Sequence, residues 1–407
     1  MHRRDTAIDV LTQAVIRYAV DRMRLDPPPL DRPRTRDELR AMAGRTVTPA
    51  GIGGLEALRV FDEVLAPACL SVDHPMYLSF VPAAPTEASI LFDLVVGASS
   101  IYAGSWLEGA GAVFAENEAM AWIASLAGFP GDAGGVFVSG GSAGNLSALV
   151  AARHRWREQQ PAAAHRRGLI VGSGGVHSSI TAAAKVMDAD VHKVPSGEHG
   201  RLRRDNLAAA VEALDDDDRA RVFAVVATAG TTNLGVVDDL AGAADIAESN
   251  GWWLHIDGAY GGAALAAPSV RARFDGIERA DSFVVDPHKW LFAPYDCCAL
   301  IYRHPDVARR AHTQHAEYLD VLTDSGEWNP SDYAYHLTRR ARGLPFWFSL
   351  ATHGTDQYRD AVETCLTTTR EVAALIDSLD HVEMVVPSEL SVVVFRRKGW
   401  SAADYQR

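Results

Sequence analysis

The sequence predicts an α/β protein built on a largely parallel sheet with helices on both faces. Two observations carry that prediction. From Gly134 to Ile301 the chain repeats one unit: a short apolar run, a turn, then a helical stretch. The apolar runs mostly lack period-2 alternation, as strands buried on both faces do. In such sheets ligands sit at the carboxyl ends of the strands. With 407 residues a large α/β domain and one or two smaller units fit.

The first part, 1–85, reads as a helical arm broken by proline. Residues 1–20 place Asp5, Asp9, Gln13 and Arg17 at helical intervals, which marks an amphipathic helix and not a signal peptide. Asp26–Pro27–Pro28–Pro29 ends it, and a second helix is expected near Leu55–Leu65. The arm is too small and too interrupted to build a core. From His74 to Pro82 the chain is aromatic and proline-containing. Helices are expected near Thr86–Val96 and Ala112–Leu126, with a loop at Ala103–Trp106 between them. The bounds expected are 1–85 for the arm, 86–310 for a large domain, and 311–407 for a mobile loop and a small C-terminal domain.

The strands follow in order. Val136–Val138 and Leu169–Val171 are apolar. Val191 and Val194 are weaker, interrupted by His192 and Lys193. Val222–Ala227, Trp252–Ile256, Ser282–Val285 and Cys298–Tyr302 complete the set. Asp215–Asp218, four aspartates in a row, reads as a solvated loop.

Each strand end carries a polar group. After the first comes Ser139–Gly140–Gly141–Ser142–Ala143–Gly144–Asn145, opening a helix expected over Leu146–Arg155. Glycines permit close backbone approach, and the helix start offers free N–H groups to a phosphate. The GxxxxGK[ST] and GxGxxG patterns are both absent. His177 sits at the start of a helix expected over Ile180–Met187. Thr231–Thr232 follows the fourth run. Asp257 ends a very apolar strand, where a buried carboxylate needs a partner: an arginine in a structural role, or a protonated ring nitrogen in a functional one. Lys289, in Asp286–Pro287–His288–Lys289–Trp290, falls on a turn where Pro287 ends regular structure. Burial beside Trp290, Leu291 and Phe292 should lower its pKa, as a Schiff-base nucleophile needs. A lysine whose amine snorkels to water is the structural alternative.

Charge and cysteines bound the function. The net charge of −13 argues against nucleic acid or an anionic membrane as partner. No segment reaches the ~18 apolar residues of a membrane span. Cys69, Cys297, Cys298 and Cys365 show no CxxC spacing, so no zinc site is expected, and all four read as reduced, which fits a cytoplasmic protein.

Taken as an ordered set, Ser139–Asn145, His177–Ser178–Ser179, Gly230–Thr231–Thr232, His255–Ile256–Asp257–Gly258–Ala259–Tyr260 and Asp286–Pro287–His288–Lys289–Trp290 resemble the group II pyridoxal-phosphate-dependent amino-acid decarboxylases, aromatic-L-amino-acid decarboxylase among them. The resemblance implies a type I pyridoxal-phosphate (aspartate-aminotransferase-like) fold with a seven-stranded central sheet. It also implies a homodimer with the site at the subunit interface. Pyridoxal 5'-phosphate would be bound through Lys289. Asp257 would pair with the ring nitrogen, His177 would stack on one ring face and Ala259 pack on the other. Gly141, Ser142, Ala143 and Thr232 would hold the phosphate, with His288 beside it. The implied reaction turns an L-amino acid, aromatic as first choice, into its amine and carbon dioxide. An aldehyde synthase that couples decarboxylation to oxidative deamination is the alternative, and a non-catalytic subunit of the same fold is a third. Tyr333 is the expected proton donor, on a mobile loop spanning His312–Leu337; Tyr335 and Tyr318 are the substitutes. Phe80, Pro82, Tyr102 and Trp106 are the expected substrate pocket. Ala83 and Gly104 depart from the animal aromatic enzymes, which carry a threonine and an aromatic residue there. An acidic substrate would need an arginine in the pocket, from among Arg339, Arg340 and Arg342. A strand is expected over Leu390–Phe395, and the family's C-terminal domain continues beyond the point where this chain ends, so an incomplete small domain is implied.

Overall fold

The computed structural model describes residues 5–82, 84–163, 165–314 and 326–406, which form two compact units, Met1–Glu87 and Ala88–Arg407.

The first unit is helical. Thr6–Met23 is N-capped by Asp5, whose carboxylate accepts the Ile8 N–H at 3.0 Å, and Arg36–Ala43 starts with a Thr35/Glu38 capping box. Gly54–Val60 continues as a wider π-turn over Phe61–Leu65, where a single α-helix was expected. Pro28, Val60 and Val64 are the buried apolar side chains among its described residues, so it has almost no core of its own.

The second unit is organised around a seven-stranded sheet: β1 Gly134–Val138, β2 Leu169–Ser173, β3 Asp190–Val194, β4 Val222–Thr228, β5 Trp253–Asp257, β6 Ser282–Val285 and β7 Cys298–Tyr302, in the order β1-β7-β6-β5-β4-β2-β3. β7 runs antiparallel to both its neighbours, and the other pairings are parallel. Every strand expected between Gly134 and Tyr302 is present. β3, the weakest in sequence, lies at the sheet edge and is half-buried, so its composition can be polar. One sheet face packs Val136, Val138, Ile170, Val226 and Leu300 against Leu149, Ile180 and Ala183 of the flanking helices. The other meets aromatic residues edge-on, Phe137 with Phe346 and Phe283 with Phe129.

Several boundaries differ from expectation. The helix after β1 spans Gly141–Gln159, so the glycine-rich stretch is its first turn and not a loop before it. Trp106–Leu126 begins earlier than expected because Ser105 caps it, accepting the Glu108 N–H. Asp215 caps a short helix, Asp216–Arg221, and the aspartates of that run lie at the helix's positive end instead of in a loop. Pro287 does not end regular structure. It opens a one-turn helix, Pro287–Trp290, where its missing N–H costs nothing. The late strand is Phe395–Arg397, paired with Val382–Met384, and not Leu390–Phe395. Residues before it are held by side chains instead: Glu389 accepts the Val237 N–H at 3.1 Å, and the Ser391 N–H donates to Tyr260 Oη at 2.8 Å.

Candidate active site

Six strands converge on one cavity of about 410 Å³. Those running forward deliver their carboxyl ends, and β7, running backward, delivers its start.

From β1, Ser139 and Gly140 lead into Gly141–Gln159. Gly140 is the N-cap and provides no side-chain bond, so the first N–H groups of a 19-residue helix stay available. A Cβ on Gly141 would sit 3.0 Å from Ala259 Cβ and 3.3 Å from Asp286 Oδ2, so the backbone lies directly against the floor of the cavity. From β2, His177 caps Ser178–Val186: its Nδ1 accepts the Ser179 N–H at 3.2 Å. That bond places the proton of the neutral ring on Nε2. From β4 come Thr228, whose buried Oγ1 has no hydrogen-bond partner among the described residues, then Gly230 and Thr232. Gly230 has φ 101°, and a Cβ there would meet Gly261 at 2.9 Å.

Asp257 closes β5 and is 5 % exposed. Among the described residues no arginine pairs with it. Its Oδ2 accepts from Asn145 Nδ2 at 2.9 Å and its Oδ1 from the Ala259 N–H at 3.2 Å. After β6, Lys289 Nζ lies 2.9 Å from Asp286 Oδ2. This reverses the expected electrostatics. Burial depresses the Lys289 pKa, but the charge and hydrogen bond of Asp286, helped by Asp257, outweigh it, and the amine is held above the ordinary lysine value. The pocket around the lysine is polar, not apolar. Burial holds His288 below its usual value despite Asp286, with His288 Nε2 3.7 Å from Asp286 Oδ2. The start of β7 adds Tyr295, whose ring centroid is 4.9 Å from that of His288, and Asp296.

The cavity thus gathers Gly141, Ser142, Ala143, His177, Thr232, Asp257, Ala259, His288 and Lys289. Asp286, Thr228 and Tyr295 were not foreseen. An aspartate before proline reads as turn chemistry, and only the fold shows it facing a lysine.

Other expected site residues lie elsewhere. Tyr333 is not brought to the cavity: it is 5 % exposed, stacks on Trp328 at 4.1 Å, and its carbonyl accepts from Tyr302 Oη. Tyr335 is 54 % exposed, while Tyr318 and Ala83 fall outside the described residues, as do residues 315–325 of the expected mobile loop. Tyr102 donates to the Leu337 carbonyl at 3.2 Å, and the Trp106 N–H donates to Asn329; neither lines the cavity. Gly104 has a packing reason, since a Cβ there would sit 2.5 Å from Tyr102 Oη. Phe80 and Pro82 belong to the first unit, where Phe80 is largely exposed with φ 60°. Arg339 is committed to Glu116 at 2.7 Å and Arg340 to Asp93 at 2.8 Å. Arg342 pairs at 3.2 Å with Asp296 of the cavity lining.

Residues 56–398 match the model of the pyridoxal-dependent decarboxylase conserved domain. The chain is 32% identical over 364 residues to aromatic-L-amino-acid decarboxylase of Bacillus atrophaeus, covering 88% of this chain and 75% of the relative. Rat aromatic-L-amino-acid decarboxylase is 29% identical over 84% of this chain and 75% of its own. The crystal structure of Oryza sativa TDC with pyridoxal phosphate and tryptamine superposes with a TM-score of 0.90 at 25% identity, covering 98% of this chain and 85% of that one. A cavity that assembles a lysine, a buried aspartate, a capping histidine and an open helix start, on a sheet shared with these enzymes, places the chain in the family of pyridoxal-phosphate-dependent decarboxylases.

Proposed function

We propose that this chain removes the carboxyl group of an aromatic L-amino acid, releasing carbon dioxide and the amine, with pyridoxal phosphate held by the residues of the cavity. The residues fit that group. The uncapped start of Gly141–Gln159 suits a phosphate, and the unpartnered Thr228 Oγ1 is a further polar atom free at the same wall. Asp257, oriented by two donors, is the acceptor that a protonated ring nitrogen requires.

When bound, the cofactor supplies an electron sink for the pair left behind as carbon dioxide departs. The chain does the rest. Asp257 would face the ring nitrogen as its acceptor. Gly141, Ser142, Ala143 and Thr232 would hold the phosphate. His177 would face the ring, and the small Ala259 would leave room for it. Asp286 holds and orients the Lys289 ammonium at 2.9 Å. His288, kept neutral by burial, sits beside that pair. Arg342 is paired with Asp296, so among the described residues the lining offers no free guanidinium to an acidic substrate, which favours an uncharged side chain.

The observation that carries this reading is the common placement of Lys289, Asp257 and His177 on one cavity. The chain is proposed to work as a cytoplasmic homodimer. Exposed Leu91, Leu94, Val95, Leu107 and Phe114 on neighbouring stretches of the second unit, and four free cysteines, support that. Carbon dioxide release from a panel of amino acids tests the function. Release from aromatic members with a matching amount of amine is expected. Ammonia and hydrogen peroxide appearing with it would mark an aldehyde synthase, an activity one relative carries, the phenylacetaldehyde synthase of Arabidopsis thaliana, 28% identical over 361 residues. No release from any member would overturn the catalytic reading.

A further inference from the structure

From the cavity lining, where His177, Asn145 and Asp257 stand, a chain of buried hydrogen bonds runs inward in which every proton has one place. It is read most securely from His177. The Ser179 N–H donates to His177 Nδ1, so that nitrogen carries no proton. Ser179 Oγ, 2.8 Å from the same nitrogen, must then donate to it. Having used its hydrogen, Ser179 Oγ accepts from Asn145 Nδ2 at 2.9 Å. The second hydrogen of Asn145 Nδ2 goes to Asp257 Oδ2, also 2.9 Å away. The amide of Asn145 is thereby fixed, and its Oδ1 is an acceptor. His255 Nε2, 2.9 Å from Oδ1, must carry the proton. Burial pushes the His255 pKa down to about 4, so the ring is neutral and its Nδ1 bare. Ser282 Oγ donates to that Nδ1 at 2.8 Å and accepts from Trp253 Nε1 at 2.8 Å. Tryptophan can only donate, so the far end agrees with the near one.

We propose that Asn145 and His255 are positioning residues for the decarboxylation: His255 sets the Asn145 amide, and Asn145 ties the acid facing the cofactor's ring nitrogen to the histidine facing its ring. This rests on the assignment of Asp257 and His177 to the cofactor. The reason for such a device is chemical. Asp257 is buried, and a buried carboxylate needs donors on its oxygens. Asn145 donates to Oδ2 and the Ala259 N–H to Oδ1, so the carboxylate is held in one orientation. An asparagine free to turn would half the time present Oδ1 to Asp257, oxygen against oxygen. His255 forbids that, because only the observed orientation leaves an acceptor facing its Nε2–H. His255 and Asn145 are fully buried, and their partners come from β6, β5 and two helices, so the chain also fixes the spacing between the two cofactor-facing side chains.

The test uses the full-length protein. In the cofactor-free wild type at pH 7, nitrogen-15 spectra of labelled histidine should show His255 as the Nε2–H tautomer; an Nδ1–H or imidazolium signal would overturn the assignment without any variant. Equilibrium binding of pyridoxal phosphate is then compared among His255→Phe, His255→Gln and Asn145→Leu. His255→Phe and Asn145→Leu should each weaken binding at least tenfold and lower kcat with KM changed less than threefold. His255→Gln, which restores an N–H donor, should recover most of the affinity. Equal affinity and turnover in all variants, or a glutamine no better than phenylalanine, would reduce the network to packing and sink the proposal. If a histidine variant does not fold, Asn145→Leu and the wild-type spectra decide. Failure of the wild type to bind the cofactor would instead count against the proposed function itself.

Discussion

Lys289 gains its character from Asp286, a residue that sequence reading treated as part of a turn. The Asp286 charge holds the amine up against a burial that pulls it down, so the sign of the effect of removing it is fixed. In Asp286→Asn the raising influence goes and burial dominates. The pH dependence of cofactor attachment, followed by absorbance, should then shift to lower pH. A shift to higher pH, or none, would show that Asp286 does not control the amine. Lys289→Ala should lower carbon dioxide release by on the order of 10³-fold, the scale of losing a group that handles the reacting proton, and borohydride should fix no cofactor to its peptide. Lys289, Asp257 and His177, the residues proposed to face the cofactor, could be singled out because each lies at or just after the end of an apolar run. The polarity around the lysine was not, since Asp286 and Lys289 are one helical turn apart on a helix that the sequence shows only as Asp-Pro followed by three bulky residues.

The elements were legible in proportion to their burial. β4, β5 and β7 are wholly buried; β4 and β7 read as almost unbroken apolar runs, and β5 is interrupted only by His255 before it ends at Asp257. Helix starts were misplaced where Gly141–Gly144 resembles a loop, because glycine at a helix start is chosen for what approaches it and not for propensity. Nothing local marks how Trp106–Leu126 is tied to the segment around Arg339. There Arg339 Nη1 donates to the Ala103 carbonyl at 2.7 Å and Nη2 to Glu116 Oε1 at 2.7 Å, and the same oxygen accepts the Gly343 N–H. Both side chains are almost inaccessible. Arg339→Met should therefore cost roughly 3–5 kcal/mol by stranding a buried carboxylate, and adding Glu116→Gln should recover part of it. Denaturant midpoints measure both, and a double variant no more stable than the single would contradict the pairing argument.

At the scale of the whole molecule, buried neutral histidines couple stability to acid. His255 and His312 are both pushed down to about 4 by burial, and His312 Nε2 lies 3.0 Å from the Ser147 carbonyl. The unfolded chain binds protons at these sites near pH 6.5 and the folded one only near 4, so their contribution is complete above about 6.5 and is lost as pH falls towards 4. Each is worth roughly 3 kcal/mol across that window. His312→Gln keeps an N–H donor for Ser147 but cannot titrate, so Tm measured between pH 4 and 7 should fall less steeply in the variant; equal slopes would remove His312 from the account. The order of the sheet has a temporal consequence. β1 leads into Gly141–Gln159, the helix proposed to hold the phosphate, yet its ladder partner is β7, with Val138 opposite Cys298. During synthesis β1 emerges long before the strand it needs, and the loop between them must close before the pairing repays its entropy. The parallel strands β2 to β6 can assemble in the meantime, and β1 alone waits for β7 to enter between it and β6. A ribosome-bound chain halted before Cys298 would carry every group proposed to touch the cofactor and still lack the strand that joins β1 to the rest of the sheet.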